Sequence, residues 1–183
     1  MSPSFEPLEP ETLHEGPIFS VHRGRFRHED GGEVTREWVH HGGAVGIVAY
    51  DDEALYLVRQ PREAVGRDDV LEIPAGRLDV EGEQPLETAK RELAEETGLA
   101  ADSWLHATSY FSSTGFTDEE VSVFLATGLR QVERPQAEED ERIELVRWPL
   151  ADLDAAIDAT VDAKTLVGLL WLRRARDTGA PAG

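Results

Sequence analysis

The sequence predicts an α/β fold in which a mixed β-sheet lies between helices, with a small β subdomain at the N-terminus. Three observations carry that reading. Ala44-Val45-Gly46-Ile47-Val48-Ala49-Tyr50 is an unbroken apolar run, the signature of a strand buried on both faces. Leu86, Ala89 and Leu93 recur at helical spacing within a segment bounded by Pro85 and Gly98. The element order is two strands, a sheet, one helix, more sheet and two helices, which suits helices packed on both faces of one sheet.

Taken in order, residues 1–17 are rich in Pro and Glu and are expected to be irregular. Ile18 to Arg27 and Glu33 to Val39 read as strands joined by the turn signal Glu29-Asp30-Gly31-Gly32. After the apolar run, Asp51-Asp52-Glu53 turns into a strand from Ala54 to Arg59, and a short strand from Val70 to Ile73 ends at Pro74-Ala75-Gly76. Pro85 to Thr97 is the helix: Pro85 sits near its start, where a missing N–H costs nothing, and Gly98 follows its end. Trp104 to Tyr110, Val121 to Thr127 and Ile143 to Trp148 are expected strands, and Leu150 to Ala159 and Ala163 to Arg176 expected helices. This divides the chain into an N-terminal β part (1–41), a main domain (42–178) and a disordered tail (179–183).

Composition narrows the function. The 183 residues suffice for one domain with a small appendage. The formal charge of −19 repels DNA, RNA and anionic lipid, so neither nucleic acid nor membrane is an expected partner. No apolar run approaches the ~18 residues of a membrane span. The first residues lack a basic and an apolar signal region, so a cytoplasmic location is expected. There are no cysteines, which excludes disulfides and thiolate metal sites. Lys90 and Lys164 are the only lysines against sixteen arginines. An acidic, lysine-poor surface suits a high-salt cytoplasm; a GC-rich genome would give the same bias.

The informative segment runs from Gly76 to Leu99, GRLDVEGEQPLETAKRELAEETGL. On a helix, Glu92 and Glu96 are four apart and share a face, with Glu95 beside them. Three clustered carboxylates repel one another unless a cation lies among them, and a hard divalent ion such as Mg²⁺ takes oxygen ligands. Glu83, just before the helix, could reach the same face. The plainer reading of Glu92, Glu95 and Glu96 alone is a solvated helix face.

The whole segment resembles the Nudix box, G-x5-E-x7-R-E-U-x-E-E-x-G-U with U aliphatic. From Glu83 to Leu99 the match is complete; at the front, six residues instead of five separate Gly76 from Glu83. The extra residue falls before the helix, so the helix register is unaffected. Gly43 to about Arg174 resembles bacterial ADP-ribose pyrophosphatases of that family. The Thr12-Leu13-His14 region and the first strand pair resemble their N-terminal subdomain, Phe116-Thr117-Asp118-Glu119 a loop after the box, and Ala163 to Leu170 their last helix.

That resemblance implies a Nudix-type α/β/α sandwich and Mg²⁺-dependent hydrolysis of ADP-ribose to AMP and ribose 5-phosphate, with Mn²⁺ able to substitute. It implies metal ligation by Glu92, Glu95, Glu96 and the Ala75 carbonyl. Arg91 would pair with a box glutamate, Glu83 being the candidate, and fix its rotamer. It points to Glu139 or Glu141, in the acidic stretch 136–141, as the general base, and to Arg62, Arg36, Gly115, Phe116, Asp118 and Glu119 as substrate contacts. A surface cation, a core aromatic or a solvated acidic stretch remains the plainer reading of several of these. A homodimer is also implied, and the apolar Ile18, Phe19, Val21 and Phe26 would need a partner surface. Thr114 stands where many ADP-ribose enzymes have proline before a Gly-Phe pair. Another nucleoside diphosphate sugar or a dinucleotide is the alternative substrate, and a non-catalytic nucleotide sensor the alternative class.

Overall fold

The computed structural model describes residues 4–134 and 142–178. These form two compact units, one from residues 4–43 and 111–120, the other from the remainder.

In the first unit, β1 (Phe5–Pro7) and β2 (Glu11–Glu15) run antiparallel to β3 (Phe19–His28), which pairs along its length with β4 (Glu33–His41). The turn between β3 and β4 uses Gly31 at φ 83°, a left-handed conformation open to glycine, and Asp30 accepts the Gly32 N–H at 2.8 Å. The expectation of irregular structure before residue 17 is corrected here. All eight residues of β1 and β2 are exposed, so no inside–outside alternation marks them. They are strands because β3 presents a ladder edge. Residues 112–119 close onto β4: Val39 donates to the Phe116 carbonyl at 2.8 Å, and Asp118 donates to the Val39 carbonyl at 3.2 Å.

In the second unit, the central strand β5 (Ala44–Tyr50) continues to a hairpin partner, β6 (Ala54–Arg62), then β7 (Arg67–Glu72) and the short β8 (Ala75–Arg77). Helix α1 (Pro85–Thr97) follows, then β9 (Leu99–Phe111), β10 (Glu120–Gln131) and β11 (Glu144–Pro149). The sheet order is β11-β6-β5-β10-β9, with β7 on β6 and β8 on β5. Because β5 pairs in parallel with β10 but antiparallel with β6 and β8, the sheet is mixed. A 3-10 turn at Leu150–Asp152 leads into α2 (Leu153–Ala159), and α3 (Ala163–Thr178) follows. The single helix expected from Leu150 to Ala159 is thus a turn plus a shorter helix. Strand β9 starts at Leu99 rather than near Trp104, because the Gly98 carbonyl already accepts from Val132 N–H and carries the ladder to the end of α1.

The two faces of β5 divide the core. Val45, Ile47 and Ala49 pack with Ala89 and Leu93 of α1; Val48 and Tyr50 pack with Leu169 and Leu172 of α3. This is the two-residue period of a strand covered on both sides. On the α3 side the approach is close: a Cβ on Gly168 would lie 2.7 Å from Val48 Cγ2. Among the described residues no helix is long and apolar enough to cross a membrane.

Candidate active site

Helix α1 presents the acidic cluster because its opposite face is anchored. Ala89 and Leu93 are fully buried against the sheet, and Gly98, left-handed at φ 69°, closes the helix by donating to the Ala94 carbonyl. This fixes the azimuth of Glu92, Glu95 and Glu96, while Glu83 lies just ahead of the first turn.

Strand β8 faces that cluster. Its pairing with β5 sets Ala75 opposite Gly46 and Gly76 opposite Val45. Glu96, only 5% exposed, accepts the Ala75 N–H at 3.0 Å. Glu92 lies against the next residue: a Cβ on Gly76 would fall 2.0 Å from Glu92 Cδ, so only glycine leaves room for this carboxylate. Two glutamates one helical turn apart therefore meet two consecutive residues of β8.

Arg91 ties the cluster together. Its Nη1 donates to Glu92 at 2.6 Å and to Glu95 at 3.1 Å, while Nη2 and Nε donate to Glu83 at 3.1 and 3.4 Å. Thr88 Oγ1 adds a bond to Glu83 at 2.9 Å. Hydrogen bonds from Arg91 and Thr88 hold the Glu83 carboxyl below its ordinary range. The Arg91 guanidinium, bonded to Glu83 and surrounded by Glu92 and Glu95, is held firmly protonated. Glu92 differs from both. Burial pushes its carboxyl up to about 7 against the pull of Arg91, and the Glu95 and Asp79 charges add to the rise.

The donor chemistry fits a hard divalent cation: Glu92, Glu95, Glu96 and the Ala75 carbonyl offer only oxygen, on a helix and the strand facing it. Among the described residues, no three acidic or histidine side chains already surround one metal position. Glu92 and Glu95 turn to Arg91 Nη1, and those are the contacts a bound cation would relieve.

The remaining expected residues fall in two places. Arg62 lies in the second unit, at the end of β6, gripped by Glu72. Arg36, Gly115, Phe116 and Asp118 lie in the first unit, where they line a cavity of about 440 Å³ together with Trp38 and Phe26. Asp118 is held there by His40 Nδ1 at 2.7 Å and by the His41 N–H at 2.9 Å. Glu119 is outside that lining and pairs with His41 at 3.7 Å. Glu139 and Glu141 lie outside the described residues. Sequence reasoning missed Trp38 and Phe26 in the cavity. Both sit on the strands of an exposed hairpin, where an aromatic alternating with charge was a usable sign of a contact face. It also missed Glu72, whose partners are remote in sequence.

A model of the NUDIX domain matches residues 40–170. The ADP-ribose pyrophosphatase of Mycobacterium tuberculosis is 49% identical over 150 residues, covering 81% of this chain and 72% of that protein. The ADP-ribose pyrophosphatase of Bacillus subtilis is 36% identical over 167 residues, 89% of each chain. A solved structure described as an ADP compounds hydrolase superposes with a TM-score of 0.83 at 23% identity, over 97% of both chains; at that identity the likeness is one of fold.

Proposed function

This chain belongs to the Nudix family and is a diphosphatase of that family, and we propose that its substrate is ADP-ribose, cleaved with Mg²⁺ to AMP and ribose 5-phosphate. The observation that carries the reading is the meeting of Glu92 and Glu96 with Gly76 and Ala75, which sets an oxygen-only donor set on rigid elements. The names of the two relatives supply the substrate.

Water attacks one phosphorus of the diphosphate, the bridging P–O bond breaks, and the attacking water gives up a proton. Mg²⁺, for which Mn²⁺ can substitute, would be held by Glu92, Glu95, Glu96 and the Ala75 carbonyl, and would supply charge neutralisation and acidify water. Arg91 fixes the rotamers of Glu83, Glu92 and Glu95 through four hydrogen bonds. Glu139 or Glu141 takes the proton, because carboxylates committed to a cation are poor bases. Arg62 offers a charged donor to phosphate. The cavity of the first unit, lined by Trp38, Phe116 and Arg36, presents aromatic faces and a cation. We assign exposed Ile18 and Phe19, where β3 begins, to a homodimer contact.

One observation favours a second substrate within the same reaction class. Thr114, which lines the cavity, stands where many ADP-ribose enzymes have proline. The alternative it favours is another nucleoside diphosphate sugar or a dinucleotide. A panel of such compounds with Mg²⁺, with products identified by chromatography, separates the readings. ADP-ribose should show the highest kcat/KM and yield AMP and ribose 5-phosphate. A tenfold preference for another compound rejects the assignment, and no turnover of any of them returns the chain to a nucleotide sensor.

A further inference from the structure

Glu72 carries a carboxylate that the reaction above leaves without a task. Its side chain is 1% exposed, on β7, three residues before Ala75. Oε1 accepts from Arg62 Nε at 2.6 Å and Oε2 from Arg62 Nη2 at 2.7 Å, a two-point grip. Lys164, on the first turn of α3, donates to the same Oε2 and reaches Asp162 Oδ2 at 3.1 Å. Lys164 is one of only two lysines in the chain.

The exposure is graded. Glu72 is sealed, the Lys164 side chain is 16% exposed, and Arg62 is 44% exposed. Among the described residues, Arg62 Nη1 has no hydrogen-bond acceptor, because Glu72 takes the Nε and Nη2 edge. The guanidinium is thus held from below with its other edge open. Its pKa is raised, chiefly by Glu72, and the Asp162 carboxylate and Glu96 of the box add to the rise.

The charges explain why two cations share one carboxylate. With Arg62 alone, Glu72 would cancel the guanidinium and leave little attraction for an anion. Lys164 shares the Glu72 carboxylate and so weakens its hold on the charge of Arg62. Asp162 brings these four side chains to neutrality and its charge also acts on Arg62, while its Oδ2 caps α3, accepting Thr165 N–H at 2.9 Å and Thr165 Oγ1–H at 2.6 Å. The backbone beside Glu72 is pinned by the same turn. Thr160 Oγ1 donates to the Leu71 carbonyl at 3.0 Å, and Thr165 Oγ1 accepts Ile73 N–H at 2.9 Å. Stability is a weak reason for such an arrangement, since apolar residues of equal volume usually do as well as a buried ion cluster.

We propose that Glu72 and Lys164 are positioning residues that hold the Arg62 guanidinium, with Nη1 outward, for a phosphate of the anionic substrate. This rests on the diphosphatase reading. The clamp acts on binding, so its loss raises KM and leaves the metal site alone.

The test uses Lys164→Gln, Lys164→Arg, Arg62→Ala and the double variant Arg62→Ala/Lys164→Gln, each in the full chain and checked for folding by circular dichroism. With ADP-ribose and Mg²⁺, Lys164→Gln should raise KM about 10- to 100-fold, the worth of a charge-assisted hydrogen bond. Its kcat should stay within about threefold and its half-saturating Mg²⁺ within about twofold. Lys164→Arg should recover most of the loss. In the Arg62→Ala background, Lys164→Gln should add less than about twofold, because the residue it serves is gone. A folded Lys164→Gln protein with KM within about twofold of wild type overturns the clamp, as do effects that multiply in the double variant. If Lys164→Gln does not fold, Arg62→Lys decides: it keeps the charge but loses the two-point grip, and an unchanged KM overturns the proposal. If wild type does not hydrolyse ADP-ribose, the substrate reading fails, and the clamp is read from thermal melting with magnesium pyrophosphate. A shift in wild type that Lys164→Gln and Arg62→Ala both lose supports it; equal shifts, or none, overturn it.

Discussion

The carboxylate of Glu92 occupies the space in which a side chain on Gly76 would begin, 2.0 Å from the Cβ position. Gly76→Ala therefore sets a methyl group against the far end of a flexible side chain. The fold can absorb this by turning Glu92 away; the site cannot. We expect a change in stability under about 2 kcal/mol by chemical denaturation, within the usual range for single substitutions. Turnover should fall at least about hundredfold, the cost of displacing a reacting group by ~1 Å. A Gly76→Ala enzyme with near wild-type kcat would mean that Glu92 works in another rotamer.

Glu96→Gln keeps an oxygen for the Ala75 N–H but removes a charge. The protein should fold, because the contact at 3.0 Å survives. The kcat should fall by several kcal/mol of transition-state stabilisation, the scale of metal-ion catalysis. Activity within about threefold of wild type, measured across a Mg²⁺ titration, argues against metal ligation by this residue.

Metal affinity should depend on pH through Glu92. Its carboxyl rises from an ordinary 4.5 to about 7 on folding, because burial disfavours the charged form. Below about pH 4.5 the group is protonated in both folded and unfolded chains and contributes nothing. As pH rises from about 4.5 to about 7, the unfolded chain ionises this group while the folded one keeps its proton, so stability falls relative to acid conditions. A cation that needs the ionised form must displace the proton below about pH 7. Calorimetry in two buffers of different ionisation enthalpy should detect proton release on Mg²⁺ binding at pH 6 and little at pH 8.5. Equal proton counts at both values would remove Glu92 from the ligand set.

The acidic stretch before β11 should hold one essential residue. Glu139→Gln and Glu141→Gln are expected to differ, with one losing about 10²- to 10⁴-fold in kcat at saturating Mg²⁺, the range for a general base. A metal-ligand variant would instead recover in part as Mg²⁺ is raised. Two variants at wild-type rate would move the base to Glu83, Glu95, Asp118 or Glu119.

Ile18 and Phe19 should lie in a contact between two copies. Their side chains are exposed where β3 begins. Light scattering at micromolar concentration should give a dimer, and Phe19→Asp should shift it to monomer. A wild-type monomer rejects the assignment.

How much of this was legible depended on the range of the interactions. Helix α1 could be read closely, because Pro85, the Leu86–Ala89–Leu93 spacing and Gly98 are all local signals. Strand β5 could be read because burial on both faces leaves an unbroken apolar run. β1 and β2 could not, since their exposed residues carry no periodicity and their existence depends on pairing with β3. The box glutamates were legible as a group from their spacing; that Glu92 rests on Gly76 and Glu96 on Ala75 was not, because β8 is only three residues long. Arg62 was read as a substrate contact without its partner. Glu72 lies ten residues away, and Lys164 ninety-two residues beyond Glu72, a separation that local pattern does not span.

The connection between β8 and α1 has a practical use. On one side Gly76 and Ala75 are paired to β5, and on the other Glu83 is secured by Arg91 and Thr88. Between them Val80 is half exposed and Gly82 turns the chain at φ 81°. The extra residue relative to the family pattern sits in this span, so it is a natural point for grafting. The chain has no cysteine, and Val80→Cys would give it a single thiol. A dye attached there would sit next to Asp79, which reaches Arg91 at 3.6 Å, covalently addressed without a background of other labels, and its emission could follow cation arrival in real time.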